Sequence, residues 1–202
     1  MTKIAVLVSG GGTNLQALLN AEKDGKIPYG QIVLVVSSRP DAYALERAEK
    51  FSKKTAVIRR KDYASAEDYD QAMLSLLKDN GIEEVILAGF LSILGQRVIA
   101  AYPKRIINIH PSLIPSFCGK GYYGLHVHEA ALKRGVKVTG ATVHYVNEIP
   151  DGGEIIAQKA VEILPGDTPE VLQKRVMEQA EWILLPKAAA DLAKRIEKEK
   201  NS

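Results

Sequence analysis

The first half of the chain repeats one pattern, in which a short apolar run is followed by a turn and a helical stretch. Its five runs occupy residues 4–8, 32–36, 55–58, 85–88 and 106–109. An unbroken apolar run flanked by turn residues predicts a strand that is buried on both faces. Because parallel strands need right-handed crossover connections, the pattern predicts an α/β fold with a doubly wound, mostly parallel Rossmann-like sheet and helices on both faces.

The second half of the chain has a different periodicity. Residues 138–146 and 154–161 alternate as antiparallel strands do, and Asp151-Gly152 between them is a turn signal. We therefore expect an antiparallel extension of the sheet in the C-terminal half. A helix is predicted from Pro169 to Pro186, with a second helical stretch after Pro186 and a charged, frayed tail at 197–202.

Composition limits the partners and the compartment. The 27 basic and 24 acidic residues leave a formal charge of +3, which is too balanced to predict nucleic-acid binding. No stretch is long and apolar enough for a membrane span, and the first residues lack a signal-peptide pattern. The single cysteine, Cys118, excludes an internal disulfide and fits a reducing compartment. We expect a cytoplasmic protein with no nucleic-acid or membrane partner, in which Cys118 is an incidental thiol of a surface loop.

The first predicted strand ends in a glycine-rich turn, Ser9-Gly10-Gly11-Gly12-Thr13-Asn14, before a helix begins. Backbone amides at such a turn converge on an anion, and a helix N-terminus favours negative charge. We expect Gly11, Gly12, Thr13 and Asn14 to hold a monophosphate. A dinucleotide fingerprint would need glycine at Leu15 and an acidic residue after the second strand. That strand ends instead in Ser37-Ser38-Arg39, which leaves a non-catalytic NADP-binding module as a remote alternative.

Asn108 and His110 lie at the end of the fifth run, just before Pro111. Side chains two positions apart on a strand point to the same side, and ligands bind at the carboxyl ends of strands in open α/β sheets. A neutral donor beside a proton-transfer group suits a reaction in which a carbonyl oxygen gains negative charge. The alternative is a structural pair that caps the strand. Asp151 is the carboxylate best placed to orient a histidine, although Asp-Gly also serves turns.

Three further features have open interpretations. The apolar segment 89–94 either packs internally or lines a pocket for a flat ligand. His126 and His128 face apart on a predicted helix, so no metal site is expected from them and the single cysteine. His144 lies on the first antiparallel strand, where we expect it to be packed or half-exposed rather than reactive.

The segment Asn108-Ile109-His110-Pro111-Ser112-Leu113 resembles a motif of the folate-dependent formyltransferase family. The similarity extends over nearly the whole chain and includes 9–15, 87–90, 142–146 and Asp151-Gly152-Gly153. The glycine turn is similar to that of the members that formylate phosphoribosylglycinamide (GAR) in purine biosynthesis. The resemblance implies transfer of a formyl group from 10-formyltetrahydrofolate, as co-substrate, to the amine of GAR, without a metal.

The resemblance also implies roles for individual residues. Asn108 and His110 would polarise the formyl oxygen, and Asp151 would raise the pKa of His110 so that it donates to the oxyanion. Contacts with the phosphate and ribose of GAR would come from Gly11, Gly12, Thr13, Asn14 and Glu181. Contacts with the folate would come from Leu91, Ser92, Ile93, Leu94, Asn108 and Asn147. Residues 1–202 would form a single domain, with a phosphate-binding half at 1–105 and a catalytic and folate-binding half at 106–202.

The chain departs from the family pattern in three places. Ala66 precedes the Glu67-Asp68-Tyr69-Asp70 stretch where a basic residue is common, Ser92 replaces a frequent arginine, and the loop at 118–123 is longer than usual. These changes bear on the expected contacts with the folate and on access to its site. A formyltetrahydrofolate hydrolase, or a formyltransferase acting on another amine, is the alternative function. The expected partners are small-molecule substrates, and the expected assembly is a monomer or a homodimer.

Overall fold

The structure, a computed structural model, describes residues 1–201. Its strands are β1 (Thr2–Val8), β2 (Gly30–Ser37), β3 (Lys54–Val57), β4 (Glu84–Leu87), β5 (Ile106–His110), β6 (Val138–Tyr145) and β7 (Ile155–Glu162). They form one sheet in the order β3-β2-β1-β4-β5-β6-β7. Strands β1 to β5 are parallel, whereas β6 is antiparallel to β5 and β7 is antiparallel to β6. The predicted mostly parallel sheet with an antiparallel extension is confirmed.

The helices lie between and after these strands. They are α1 (Thr13–Lys23), α2 (Tyr43–Lys50), α3 (Ala66–Asp79), α4 (Gln96–Ala101), α5 (Leu125–Arg134), α6 (Pro169–Val176) and α7 (Trp182–Lys200). A short 3₁₀ turn forms at Arg60–Asp62, and a π-helical turn at Met177–Glu181 joins α6 to α7. Within residues 1–201 no helix is long and apolar enough to cross a membrane.

Helices cover both faces of the sheet because each central strand is apolar on both sides. All five residues of the first apolar run are fully buried. Ile4, Val6 and Val8 pack with α1 and α7, whereas Ala5 and Leu7 pack with α3 and α4. Since successive side chains of a strand point to opposite faces, one strand contributes to two separate cores.

The helix boundary predicted at Pro186 is wrong. Pro186 lies inside α7, and the irregularity falls earlier, at the π-helical turn Met177–Glu181. The carbonyl that Pro186 leaves without an α-helical partner is that of Trp182, next to this turn, where the hydrogen-bond ladder is already irregular. Helix α7 therefore continues through Pro186 without a separate interruption. The predicted tail at 197–202 is helical as far as Lys200, and Ser202 lies outside the described residues.

Candidate active site

A cavity of about 690 Å³ opens at the carboxyl ends of β4 and β5. Most of the predicted site residues line it, and they fall into three groups: Asn108, His110 and Asp151; Thr13, Asn14 and Glu181; and Leu91, Ser92, Ile93, Leu94 and Asn147. Gly11 and Gly12 are the two predicted residues that do not line it. The structure thus brings together side chains from both halves of the chain at the end of the sheet where ligands of α/β proteins bind.

Asn108, His110 and Asp151 form a compact polar group in this cavity. Asn108 and His110 lie in the last three residues of β5 and project to the same side, as the strand periodicity predicts. His110 is only 4% exposed. Asp151 lies in the connection between β6 and β7 with a left-handed backbone (φ 55°). One of its carboxylate oxygens, Oδ2, lies 3.6 Å from His110 Nδ1, and the other, Oδ1, accepts a long hydrogen bond of 3.4 Å from Asn108 Nδ2. Asp151 is therefore placed to influence both side chains.

Burial dominates the proton affinity of His110. It lowers the pKa of His110 below its ordinary value, although Asp151 and the Phe117 carbonyl raise it. Asp151 thus raises the pKa of His110 as expected, but the expected net result, a more fully protonated His110, is wrong because withdrawing the imidazolium from water costs more than the carboxylate returns. The Asp151 carboxylate behaves oppositely. Burial raises its pKa, but contacts with His144, His110 and the Gly119 amide outweigh burial and hold it below its ordinary value.

The long loop after Pro115 contacts this group directly. His110 Nε2 donates to the Phe117 carbonyl at 2.9 Å, and the Gly119 amide donates to Asp151 Oδ2 at 2.8 Å. Both ring nitrogens of His110 thus face acceptors. Cys118 between them donates to the Pro115 carbonyl, and burial raises the pKa of its thiol, as does the nearby Asp151 carboxylate. A thiol with a raised pKa is a poor nucleophile, which agrees with an incidental role.

His144 belongs to the same polar group, which its sequence position did not indicate. It pairs with Asn108 across β5 and β6, and a register shift in the β6–β7 pairing falls between Val143 and His144. Its ring is buried, as expected, and its Nε2 lies 3.0 Å from Asn108 Nδ2. Irregular pairing often re-aims side chains beside active sites. No local pattern in the sequence indicates this contact, because it depends on the register between β5 and β6.

The glycine turn leads into Thr13 and Asn14, which line another part of the cavity. Gly12 is left-handed (φ 72°), and a Cβ there would lie 2.6 Å from the Ala44 Cβ. Helix α1 begins at Thr13 without a side-chain cap or an acidic residue in its first turn, so its first amides are available to an anion. Arg47, which the sequence did not single out, donates to the Gly11 carbonyl at 2.8 Å and so stabilises the turn.

Glu181 faces the start of α1 from the π-helical turn. Asn14 Nδ2 donates to Glu181 Oε2 at 3.2 Å. Burial raises the pKa of Glu181 to about 7, and the hydrogen bond from Asn14 opposes this only in part. A carboxyl that changes charge near neutral pH therefore lies beside the candidate phosphate turn.

The apolar segment 89–94 both packs internally and lines the cavity. Leu94 is buried in the core against α3, whereas Leu91 and Ile93 are 61% and 78% exposed. The Leu91 amide donates to Ser9 Oγ at 2.8 Å, and Ser9 Oγ also contacts Ser38 Oγ. Both interpretations therefore hold, because residues 91–94 all line the cavity while Leu94 also packs in the core. Ser9, which follows β1, holds the segment through the Leu91 amide.

The sequence matches the formyl transferase family over residues 2–188. This chain belongs to the formyl transferase family. This formyl transferase is 40% identical to the phosphoribosylglycinamide formyltransferase of Haemophilus influenzae over 89% of its own length and 82% of the relative's. It is 45% identical to the trifunctional purine biosynthetic protein adenosine-3 of Drosophila pseudoobscura pseudoobscura over 95% of its own length, but it spans only 14% of that protein.

Solved structures agree with this assignment. The glycinamide ribonucleotide transformylase 1 of Symbiobacterium toebii is 41% identical and superposes with a TM-score of 0.90, over 96% of this formyl transferase and 88% of the other chain. The phosphoribosylglycinamide formyltransferase of Bacillus halodurans is 38% identical with a TM-score of 0.87, over 95% of each chain. The sheet and its helices are therefore those of this family.

The remaining histidines and a second cavity lie outside the polar group around Asn108. His126 is exposed and bonded to Glu129, whereas His128 is buried and lines the main cavity. In residues 1–201 no group of three or more His, Cys, Asp or Glu side chains is arranged to hold a metal ion. A second cavity of about 840 Å³ lies between α1 and α7, and of the predicted site residues only Thr13 borders it.

Proposed function

We propose that this chain transfers the formyl group of 10-formyltetrahydrofolate to the amine of GAR, a step of de novo purine biosynthesis. One observation carries the proposal: a single cavity is lined by Asn108, His110 and Asp151, by Thr13 and Asn14 at the start of α1, and by the apolar segment 91–94. Each of the two substrates has a matching end of that cavity. The named relatives that the chain spans for most of their length support the same activity.

The GAR end of the cavity is proposed at the start of α1. The amides following Gly11 and Gly12 suit a phosphate, because a helix N-terminus carries unpaired donors and a favourable dipole. Thr13 and Asn14 add side-chain donors and acceptors, and Glu181 suits the hydroxyl groups of a ribose. Gly11 does not line the cavity, but its backbone is exposed and can contact a phosphate bound beside Thr13.

The folate end is proposed at the apolar segment. Leu91, Ile93 and Leu94 offer an apolar surface to a flat pterin ring, while Ser92 and Asn147 offer polar contacts at its edges. Ala66 and the basic residues Arg59–Lys61 are not among the residues that line this cavity.

The proposed reaction forms one bond and breaks one. The neutral amine of GAR attacks the formyl carbon, the carbonyl oxygen becomes an oxyanion, and the bond from the formyl carbon to N10 of the folate then breaks. Asn108 and His110 donate to the oxyanion, and a proton passes from the attacking nitrogen to N10 through water near Asp151. The reaction is redox-neutral and passes through no covalent enzyme intermediate.

His110 is suited to this role by its opposing influences. Burial lowers the pKa of His110 in the resting site, which favours the neutral ring. The negative charge of the oxyanion favours the protonated ring at the moment when a donor is needed. Because Nε2 is bonded to the Phe117 carbonyl, donation from Nε2 requires that carbonyl to move away.

The proposal is tested by mixing the purified protein with 10-formyltetrahydrofolate in the presence and absence of GAR and following the folate spectrum. Turnover that requires GAR supports it. Formate release without GAR would indicate the hydrolase, and indifference to both folate and GAR would leave the non-catalytic module. Transfer to another amine in place of GAR would indicate a different formyltransferase.

The catalytic roles are tested by substitution. We expect Asn108→Ala, His110→Ala and Asp151→Asn each to lower kcat by about 100-fold, because each removes or misdirects a group that stabilises the oxyanion. Circular dichroism checks that each variant is folded. Near-normal kcat in two of the three variants would refute the assigned roles.

Three other expectations stay predictions from the sequence. They are a cytoplasmic location, a single domain at 1–202 whose halves divide near residue 105, and a monomeric or homodimeric assembly. The continuous sheet is consistent with a single domain, since β4 and β5 pair across the proposed division. Sedimentation analysis of the purified protein measures the assembly.

A further inference from the structure

Each ring nitrogen of His144 has one close polar partner. His144 Nδ1 lies 2.8 Å from the carbonyl oxygen of Tyr145, and His144 Nε2 lies 3.0 Å from Asn108 Nδ2. The ring is 2% exposed, so water does not compete strongly for either nitrogen. The two ring nitrogens therefore take their hydrogen-bond partners from the protein. A third contact, between His144 Nε2 and Asp151 Oδ1 at 3.6 Å, is too long for a hydrogen bond.

Two acceptors that cannot donate determine which atoms carry the hydrogens. A backbone carbonyl only accepts, so His144 Nδ1 carries the hydrogen. The Asp151 carboxylate also only accepts, and its Oδ1 lies 3.4 Å from the Asn108 amide, so the amide must present nitrogen on that side. The remaining contact is then an Asn108 N–H donated to a lone pair on His144 Nε2. Two donors would face each other at 3.0 Å if Nε2 were protonated.

We propose that His144 is a positioning residue for formyl transfer: as its Nδ1–H tautomer it holds one hydrogen of the Asn108 amide and leaves the second hydrogen for the formyl oxygen. The unequal distances support this division, since the bond to His144 is 3.0 Å and that to Asp151 is 3.4 Å. The loosely held second hydrogen can redirect to an oxyanion without loss of the first bond. The inference rests on the proposed function, because it needs a reacting carbonyl in the cavity.

A matched pair of substitutions separates the two ring nitrogens of His144. In His144→Gln the terminal amide reaches the former position of Nε2 and can still accept from Asn108. In His144→Asn the shorter amide reaches only the position of Nδ1, so it can donate to the Tyr145 carbonyl but cannot reach Asn108. Both variants are polar and close in size to histidine, and the same two substitutions at exposed His126 serve as controls.

The expected result is a loss of kcat with little change in KM. His144→Asn lowers kcat about tenfold, the scale of one orienting hydrogen bond, while His144→Gln stays within about threefold of the parent. KM for GAR and for the folate changes by less than about twofold in both, because His144 acts through Asn108 and not on ground-state binding. Equal kcat losses in the Asn and Gln variants would overturn the inference.

Nitrogen-15 NMR of the histidine-labelled protein tests the tautomer without relying on activity. We expect the His144 signals, assigned by their loss in His144→Gln, to show a protonated Nδ1 and an unprotonated Nε2 at neutral pH. A protonated Nε2 would overturn the inference even if the variants behaved as expected. Failure of the parent protein to turn over GAR and 10-formyltetrahydrofolate would refute the proposed function instead, and the two failures are thereby distinguished.

Discussion

Glu181→Gln should stabilise the protein in a pH-dependent way. Glu181 is buried beside Asn14, and its pKa is raised from 4.5 to about 7. Below pH 4.5 the carboxyl is protonated in both the folded and the unfolded chain. Between these two values the folded chain keeps a proton that the unfolded chain has lost, so stability falls as pH rises, and above the folded pKa the whole cost is present.

The size of the effect follows from the two pKa values. Their difference corresponds to roughly 3 kcal/mol in the free energy of unfolding. Glutamine removes this cost because it carries no charge. It also keeps an acceptor for Asn14 Nδ2 and adds a donor near Asn14 Oδ1, a buried atom that has no partner in the described structure. The gain over the parent should thus be close to zero at pH 4 and should approach this upper limit at pH 8.

Urea unfolding followed by circular dichroism measures the difference at pH 5 and pH 8. Comparing parent and variant at each pH cancels the titration of other groups. Glu178→Gln is the matched control, since Glu178 lies on the same π-helical turn but is 47% exposed and pairs with Lys174 only at 3.8 Å; its effect should stay within about 0.5 kcal/mol at both pH values. A Glu181→Gln variant that gains equally at both pH values, or loses stability at pH 8, would refute the reasoning.

Three further substitutions test local features of the fold by thermal or urea unfolding. Gly12→Ala should cost about 1–3 kcal/mol, because its backbone is left-handed and the new Cβ would meet Ala44, whereas Gly10→Ala points into open space and should cost far less; equal losses would contradict this. Asp70→Ala should cost about 1–2 kcal/mol, because the carboxylate accepts from two amides at the start of α4, and Asp70→Asn should recover part of the loss. Thr168→Ala should cost about 1 kcal/mol by removing the side-chain cap of α6, and an unchanged midpoint would argue against that cap.

The order of strands and helices could be predicted because it depends on local patterns. An apolar run of five residues must be buried wherever it lies, and strand periodicity alone places Asn108 and His110 on one side. Helix α4 was not predicted because it has only six residues and no side-chain cap of its own. Its capping carboxylate, Asp70, comes from α3, and a partner that distant leaves no local signal.

The polar group around Asn108 could be predicted only in part. The sequence offered Asp151 as the carboxylate best placed to orient a histidine but left an ordinary Asp-Gly turn as the alternative, and the family resemblance implied its catalytic role. His144 was expected to be packed, and it is, but its bond to Asn108 depends on the register between β5 and β6. Likewise, the length of the loop at 118–123 indicated altered access to the site, whereas the bonds from His110 to the Phe117 carbonyl and from the Gly119 amide to Asp151 required the folded chain.

By itself, the sequence determined the α/β sheet, the glycine turn before α1 and the side of β5 from which Asn108 and His110 project. These follow from spacing and side-chain type, which act over a few residues. Only the tertiary structure decided the balance of charge in the site. The carboxylate of Asp151 raises the pKa of His110, as its position in the sequence predicts, but burial of the ring outweighs that effect and the net pKa is lowered. Burial depends on every element that closes around a side chain, and no local pattern reports it.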